Sequence, residues 1–116
     1  MVVKVDGTLA MAVVPASRQV DLERLRAVTS ATQVEIAHET DFRHFFPDCE
    51  TGAMPPFGNL YGMTVYADEE LAQDREIAFN AGTHRELVSM SWVDYAALVK
   101  PRILKLSTGT AVSTAA

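Results

Sequence analysis

The sequence has little cysteine, no long apolar run and no surplus of basic side chains. Cys49 is the only cysteine among 116 residues, so the chain can form neither an internal disulfide nor a cysteine-based zinc site. No apolar run approaches the roughly 18 residues that span a bilayer, and no secretory leader is evident. We therefore expect a cytoplasmic protein that does not act in a membrane.

The charge balance is acidic, with a formal net charge of −5. A protein that binds nucleic acid along many phosphates needs a local excess of Lys and Arg, so this mode of binding is disfavoured. Recognition of one end of a nucleic acid, where few phosphates are touched, remains compatible with the composition. With 48% hydrophobic and 22% charged residues, the chain has the composition of an ordinary globular domain.

The beginning of the chain predicts a β-hairpin. Residues 2–5 and 9–14 flank Asp6-Gly7, a pair that is typical of tight two-residue turns. Both faces of the second segment are apolar, so we expect a central strand that is covered on both sides.

Three helices are predicted by their caps and their apolar spacing. The first begins at Asp21, the second covers residues 40–46, and the third begins with Ser91 and Asp94 as a capping box. The expected buried positions are Leu22, Leu25 and Val28 in the first helix, Phe42, Phe45 and Phe46 in the second, and Trp92, Tyr95, Ala96 and Val99 in the third.

The strands that follow predict the fold class. Residues 33–37, 63–67, 76–79 and 85–90 have strand character, and several of these segments follow one another without a crossover helix. The pattern therefore indicates an α+β domain, with a mixed, mainly antiparallel sheet and short helices packed around it. We expect the domain over residues 1–103 and a C-terminal tail over residues 104–116.

Two turns are the candidate functional segments. Residues 52–58 read Gly-Ala-Met-Pro-Pro-Phe-Gly, a composition that predicts a rigid loop with exposed backbone N–H groups at its glycine end. Residues 80–84, Asn-Ala-Gly-Thr-His, form a polar turn between two strands. On composition alone an ordinary connection between strands is the simpler interpretation of the loop. If both turns open at the same end of the sheet, they line a cleft whose donors stabilise developing negative charge.

Known catalytic and metal-binding patterns are otherwise missing from the sequence. His38, His44 and His84 do not have the spacing of a zinc site, and there is no phosphate loop, dinucleotide fingerprint or nucleophile elbow. We therefore expect no metal ion.

Five short segments, taken in order, carry a resemblance to a known family. They are residues 3–7 (Val-Lys-Val-Asp-Gly), 12–16 (Ala-Val-Val-Pro-Ala), 46–58 (Phe-Pro-Asp-Cys-Glu-Thr-Gly-Ala-Met-Pro-Pro-Phe-Gly), 65–68 (Val-Tyr-Ala-Asp) and 79–84 (Phe-Asn-Ala-Gly-Thr-His). Their order and spacing resemble the YbaK-type aminoacyl-tRNA deacylases, which also supply the editing domain of bacterial prolyl-tRNA synthetases. The similarity runs from Met1 to about Pro101.

The resemblance implies a fold and an activity. The family fold is a mixed sheet, partly rolled into a barrel, with helices around it. The implied activity is trans-editing, the hydrolysis of mischarged tRNA of the tRNA(Pro) type, with no metal and no cofactor. The implied partners are the acceptor end of aminoacyl-tRNA and, as a second candidate, an aminoacyl-tRNA synthetase.

The resemblance also implies the site residues. The family's Gly-x-x-x-Pro loop falls on residues 52–56, so Gly52 is the expected catalytic group, whose N–H holds the substrate carbonyl while water cuts the ester with help from the neighbouring ribose hydroxyl. The expected substrate-binding residues are Ala53, Met54, Pro56, Phe57, Gly82, Thr83 and His84.

One functional group of the family does not occur in this sequence. A family lysine would lie two positions before Met1, and Lys4 is displaced from that position. An active deacylase and a catalytically silent or truncated binding module of the same fold therefore both stay open, as does a deacylase acting on another small acyl ester. Without the family's upstream elements, residues 2–3 and 9–14 would expose apolar surface, so we expect a homo-oligomer joined through the first hairpin.

Overall fold

The computed structural model describes residues 1–47, 49–50 and 54–108. Within these ranges the elements follow one another in the order β1 Val2–Val5, β2 Thr8–Val13, β3 Gln19–Val20, α1 Leu22–Thr29, β4 Val34–Ile36, α2 Glu39–Phe42, a 3-10 helix Arg43–Phe45, a second 3-10 helix Gly58–Tyr61, β5 Thr64–Asp68, a third 3-10 helix Leu71–Gln73, β6 Glu76–Asn80, β7 Leu87–Ser91, α3 Trp92–Val99, β8 Arg102–Leu104 and β9 Ser107–Thr108.

The main sheet has five strands in the order β4–β1–β2–β5–β8. Strand β1 is antiparallel to β2 and β4, whereas β5 is parallel to β2 and β8. Two further antiparallel pairs, β3 with β9 and β6 with β7, lie outside this sheet. Among the described residues, four of the six strand pairings are therefore antiparallel, and the predicted mixed α+β fold is confirmed.

The predicted hairpin is formed by β1 and β2. Asp6 and Gly7 have φ values of 50° and 83°, and positive φ at both central residues is the requirement of the tight turn that suits twisted strands. The Asp6 carboxylate also accepts the backbone N–H groups of Thr32 (2.9 Å) and Gln33 (2.8 Å). The same aspartate therefore fixes the hairpin and the start of the adjacent edge strand.

Strand β2 is central and covered on both faces, as predicted. Met11 points into one apolar cluster, while Ala10 and Ala12 point into the other. The first cluster contains Val2, Met11, Ala37, Phe42, Phe46, Met63, Val65, Ala67, Ile77, Trp92, Tyr95 and Val99. The second contains Val3, Ala10, Ala12, Leu25, Tyr66 and Leu106.

The expectation of an exposed apolar face on the first hairpin was wrong. Val2 and Val3 are only 3% and 0% exposed. The chain itself provides the cover, because α2 and α3 contribute side chains to the first cluster and α1 contributes Leu25 to the second. The physical basis for a homo-oligomer through this hairpin is therefore absent.

The helices follow their predicted caps more closely than their predicted faces. Asp21 accepts the N–H of Arg24 at 3.0 Å, and the helix ends at Ser30 in the left-handed conformation. Leu25 is fully buried, but Val28 is 46% exposed, so the predicted buried face was wrong there. The eight-residue helix makes little more than two turns, and Leu25 is its one fully buried residue.

The second predicted helix is shorter and less regular than expected. It is α2 over Glu39–Phe42 followed by the 3-10 helix Arg43–Phe45. Phe42 and Phe46 are buried as predicted, whereas Phe45 is half-buried. The third helix is confirmed: Ser91 accepts the N–H of Asp94 at 3.1 Å.

The packed chain continues past the boundary predicted after residue 103. Asp68 is 2% exposed, and its Oδ1 accepts the N–H groups of Leu106 (2.8 Å) and Ser107 (3.0 Å). Leu106 is fully buried, and Ser107–Thr108 pairs with β3. A buried carboxylate needs such donors, so this segment is part of the folded domain. Residues 109–116 lie outside the described part of the chain.

Within the described residues, no helix has both the length and the apolar character needed to cross a bilayer.

Candidate functional site

A cleft with a volume of about 490 Å³ opens beside the C-terminal end of β2. One wall is formed by the chain from Met11 to Ala16, and the other by β6 together with Leu87 at the start of β7. Met54 and Pro56 of the loop at residues 52–58, here called the proline-glycine loop, also line the cleft, as do Met1, Leu71 and Asp74. The cleft therefore lies between a central strand of the main sheet and a separate two-stranded ribbon.

The C-terminal end of the loop is held by a buried tyrosine. The hydroxyl of Tyr95 donates a hydrogen bond of 2.6 Å to the carbonyl oxygen of Pro56, and Tyr95 is fully buried. Burial raises the pKa of the Tyr95 hydroxyl well above its ordinary value, because a phenolate would lose its solvation there. The hydroxyl therefore remains a donor. The ring of Phe57 packs edge-on against those of Phe79 and Tyr95, with centroid distances of 5.6 and 5.5 Å.

Gly58 follows at a point where the loop passes close to the sheet. A Cβ at this position would lie 3.1 Å from Cβ of Met11, 3.2 Å from Cγ2 of Val65 and 3.3 Å from Cβ of Met63. Its φ is not in the left-handed region, so the requirement for glycine is one of space. The end of the loop is thus pressed onto the two strands that lie beneath it.

On the N-terminal side of the loop, Glu50 is bonded to the polar turn. The backbone N–H of Glu50 donates to the carbonyl oxygen of Gly82 at 2.6 Å, and its carboxylate accepts the N–H of His84 at 2.6 Å. These two bonds connect the polar turn to a residue that lies two positions before the loop.

The family of this fold follows from comparison with known proteins. A model of the aminoacyl-tRNA editing domain matches residues 1–98. The chain belongs to this family. The predicted resemblance is confirmed, and membership supports an aminoacyl-tRNA editing function, with aminoacyl-tRNA as the substrate. A search of curated proteins found no significant match.

Solved structures share the fold of this editing domain at low sequence identity. A proposed trans-editing enzyme for prolyl-tRNA synthetase is 21% identical, with a TM-score of 0.82 over 94% of this chain and 68% of its own. The hypothetical protein APE2540 is 13% identical, with a TM-score of 0.81 over 93% of this chain and 71% of its own. A proposed signal transduction protein from Marinobacter aquaeolei VT8 is 17% identical, with a TM-score of 0.79 over 95% of this chain and 24% of its own. At these identities the likeness establishes the fold alone.

The predicted site residues occupy different places around the cleft of the editing domain. Met54 and Pro56 line it, and the ring of Phe57 packs against the ring of Tyr95. Gly52 and Ala53 lie outside the described residues.

The predicted residues of the polar turn lie one step away from the cleft. Gly82 is buried with a φ of 97°, His84 is exposed, and neither they nor Thr83 are among the described residues that line the cleft. Their neighbours Asn80 and Leu87 line it instead. The turn therefore borders the cleft and is connected to the loop through Glu50.

Two residues that make hydrogen bonds in or beside the loop, Tyr95 and Glu50, were not selected from the sequence. The sequence pattern placed Tyr95 only in an apolar stripe. A buried tyrosine hydroxyl ordinarily needs a hydrogen-bond partner, and this need could have indicated that Tyr95 bonds to another segment. Glu50 had no such signal, because its partners lie 32 and 34 positions further along the chain.

The charged side chains that line the cleft are acidic. Asp74 and Glu76 line it, and no Lys or Arg is found among its described lining residues. No three His, Cys, Asp or Glu side chains of the described chain are close enough to hold one metal ion. The described lining contains no Ser, Thr, Cys or Lys side chain, so Asp74 and Glu76 are its ionisable side chains.

Proposed function

We propose that this editing domain is an aminoacyl-tRNA deacylase that acts in trans on mischarged tRNA, with tRNA(Pro) as the first candidate. The observation that carries the proposal is the cleft itself, because Met54 and Pro56 of the family's loop line it. Its volume of about 490 Å³ is within the range of pockets that hold small ligands. This is sufficient for a small amino acid attached to a terminal ribose.

The proposed reaction is hydrolysis of the ester between the amino acid and the ribose. Water adds to the carbonyl carbon, the bond from that carbon to the ribose oxygen breaks, and the ribose oxygen leaves with a proton, assisted by the neighbouring ribose hydroxyl. The backbone N–H of Gly52 is assigned to the carbonyl oxygen, where negative charge develops. Ala53, Met54, Pro56 and Phe57 are assigned to the contact with the amino acid.

The polar turn and the overall charge fit a substrate that is recognised at one end. Gly82, Thr83 and His84 are assigned to the border of the cleft, where the terminal nucleotide would lie. The net charge of −5 suits contact with few phosphates, so the acceptor end alone is the proposed partner. The proposal places the protein in the cytoplasm and involves no cofactor. An aminoacyl-tRNA synthetase that delivers the substrate is a second candidate partner.

Direct assay of mischarged tRNAs tests the proposal. The protein is incubated with alanine, serine and cysteine attached to tRNA(Pro) and with matched cognate pairs, and the release of amino acid is followed over time. We expect release from at least one mischarged pair and little from the cognate pair. Absence of release from every pair contradicts the proposed activity.

A binding module without catalysis is the second candidate, and it is favoured by the described lining of the cleft, in which no Lys, Arg, Ser, Thr or Cys side chain occurs. Met1 lines the cleft, and its carbonyl oxygen accepts the N–H of Ala12 at 2.8 Å. If the register of β1 and β2 continues upstream, the position of the family lysine lies opposite Val14, which also lines the cleft. A chain extended upstream to include that lysine separates the two functions. Hydrolysis only in the extended chain shows that the lysine is needed, whereas binding without hydrolysis in both chains supports the module.

Substitution of Gly52 tests the proposed donor. If Gly52 is the donor, Gly52→Ala puts a methyl group beside the substrate carbonyl, and loss of one such donor contact lowers turnover by about 100-fold or more. We expect that loss with little change in melting temperature. Gly62→Ala is a control for turnover alone, since Gly62 does not line the cleft, while its φ of 75° makes the substitution costly to stability. If Gly52→Ala retains full hydrolysis, the donor must be sought at Gly82 to His84.

A further inference from the structure

We propose that Glu50 is a positioning residue, which sets the place of Met54 and Pro56 in the proline-glycine loop through its own hydrogen bonds to the turn at Gly82 and His84. The inference rests on the proposed deacylase function. Glu50 is not among the described residues that line the cleft, so it acts through the segments that it joins.

The geometry gives Glu50 two attachments to one short turn. Its N–H donates to the Gly82 carbonyl and its carboxylate accepts the His84 N–H, both at 2.6 Å. Two hydrogen bonds from one residue, one from the main chain and one from the side chain, fix its orientation as well as its distance. A charged acceptor also makes the bond to His84 stronger than a bond between neutral groups.

Glu50 is only four positions before Met54, which lines the cleft. Pro56 is held by the buried Tyr95 hydroxyl at 2.6 Å. We therefore infer that loss of the Glu50 side-chain bond shifts Met54 relative to the cleft wall. A misplacement of about 1 Å at a reacting group can lower a rate by about 100-fold.

Because Glu50 is exposed, its effect on turnover can be distinguished from an effect on the stability of the fold. Glu50 and His84 are both exposed, so water can replace the lost partner when the carboxylate is removed. Substitutions at such surface sites usually change stability very little. An effect on turnover without an effect on folding is therefore the expected signature.

The first measurement compares turnover among variants at this position. In Glu50→Ala we expect kcat to fall by about 10- to 100-fold, with KM changed by less than about threefold and the melting temperature by less than about 4 °C. Glu50→Gln keeps an oxygen that accepts the His84 N–H, so we expect kcat within about threefold of the unsubstituted protein. Glu35→Ala, which removes an exposed carboxylate from the edge strand β4, is the matched control for charge.

The second measurement follows the position and mobility of Met54 in the loop and does not depend on activity. The NMR signal of the Met54 methyl group, assigned through its loss in Met54→Leu, reports the position and mobility of the loop. We expect a shifted or broadened signal in Glu50→Ala, an unchanged signal in Glu35→Ala, and recovery in Glu50→Gln.

These outcomes distinguish the inference from the proposed function. An unchanged Met54 signal in Glu50→Ala overturns the inference whatever the activity, and so does an unchanged kcat in an active protein. If Glu50→Ala does not fold, Glu50→Asp, whose carboxylate is one methylene shorter, replaces it with the same expected direction in both measurements. If the unsubstituted protein hydrolyses no mischarged tRNA, the proposed function fails, and the Met54 signal still decides whether Glu50 holds the loop.

Discussion

The two ends of the proline-glycine loop are held by opposite kinds of interaction. At the C-terminal end, Pro56 bonds to a buried tyrosine and Gly58 is pressed between side chains of the main sheet. At the N-terminal end, Glu50 is exposed and bonds to a turn of the separate two-stranded ribbon. One end therefore belongs to the core, and the other belongs to the surface.

This difference separates what the fold requires from what the site requires. The contacts of Gly58 are with β2 and β5, so that end cannot move without disturbing the centre of the sheet. The contacts of Glu50 are hydrogen bonds that water can replace, so that end can move while the domain stays folded. Substitutions at the core end should lower stability, whereas substitutions at the surface end should leave stability nearly unchanged.

The largest effect on stability is expected for Gly58→Ala. The added methyl would lie 3.1 to 3.3 Å from three side-chain atoms, two of which are Cβ atoms attached directly to the backbone of Met11 and Met63. Relief therefore requires movement of strands, and overpacking of this kind costs about 2–3 kcal/mol. Urea unfolding followed by circular dichroism measures this loss.

Gly62→Ala is the matched control for Gly58→Ala. Its φ of 75° makes any substitution strained, but no atom lies within 4 Å of the added methyl. We expect a cost of on the order of 1 kcal/mol from the backbone alone. If Gly58→Ala costs no more than Gly62→Ala, the core end of the loop is not tightly packed and the comparison between the two ends fails.

A smaller effect is expected for Tyr95→Phe. The substitution keeps the ring and removes the hydroxyl, so the Pro56 carbonyl loses its donor in a buried place. An unsatisfied buried group costs about 1–2 kcal/mol. The free energy of unfolding and the kcat for a mischarged tRNA should both fall, because this bond holds the loop as well as the core. A loss of kcat with unchanged stability would show that Tyr95, like Glu50, affects the position of the loop and not the stability of the domain.

Much of the fold was predictable because its signals are local. The Asp6-Gly7 turn, the two apolar faces of β2 and the cap of α3 at Ser91 each depend on a few neighbouring residues. The burial of β1 was not predictable in this way, since its cover comes from helices far along the chain. Strands β8 and β9 are too short to show alternation, and the segment between them is fixed by the distant carboxylate of Asp68.

The candidate site was predictable as a set of segments but not as an arrangement. The composition of residues 52–58 and the family resemblance selected the loop, and the structure places Met54 and Pro56 in the cleft. The residues that hold the loop were missed, because Tyr95 is 39 positions from Pro56 and His84 is 34 positions from Glu50. Contacts of this range depend on the packing of the whole domain, which no local pattern specifies.

The smallest effect on stability is expected for Thr83→Ala, at the surface end. The Thr83 hydroxyl donates to Glu86 at 3.2 Å and accepts the N–H of Arg85 at 3.3 Å, so both of these partners are neighbours in the same turn. Both bonds are exposed and can be replaced by water, so we expect the free energy of unfolding to change by less than about 0.5 kcal/mol. Thr83→Ser, which keeps the hydroxyl, should change it even less. A loss of more than about 1 kcal/mol in urea unfolding would show that the ribbon turn contributes to the fold as the core end does, because water would then not be replacing the lost bonds.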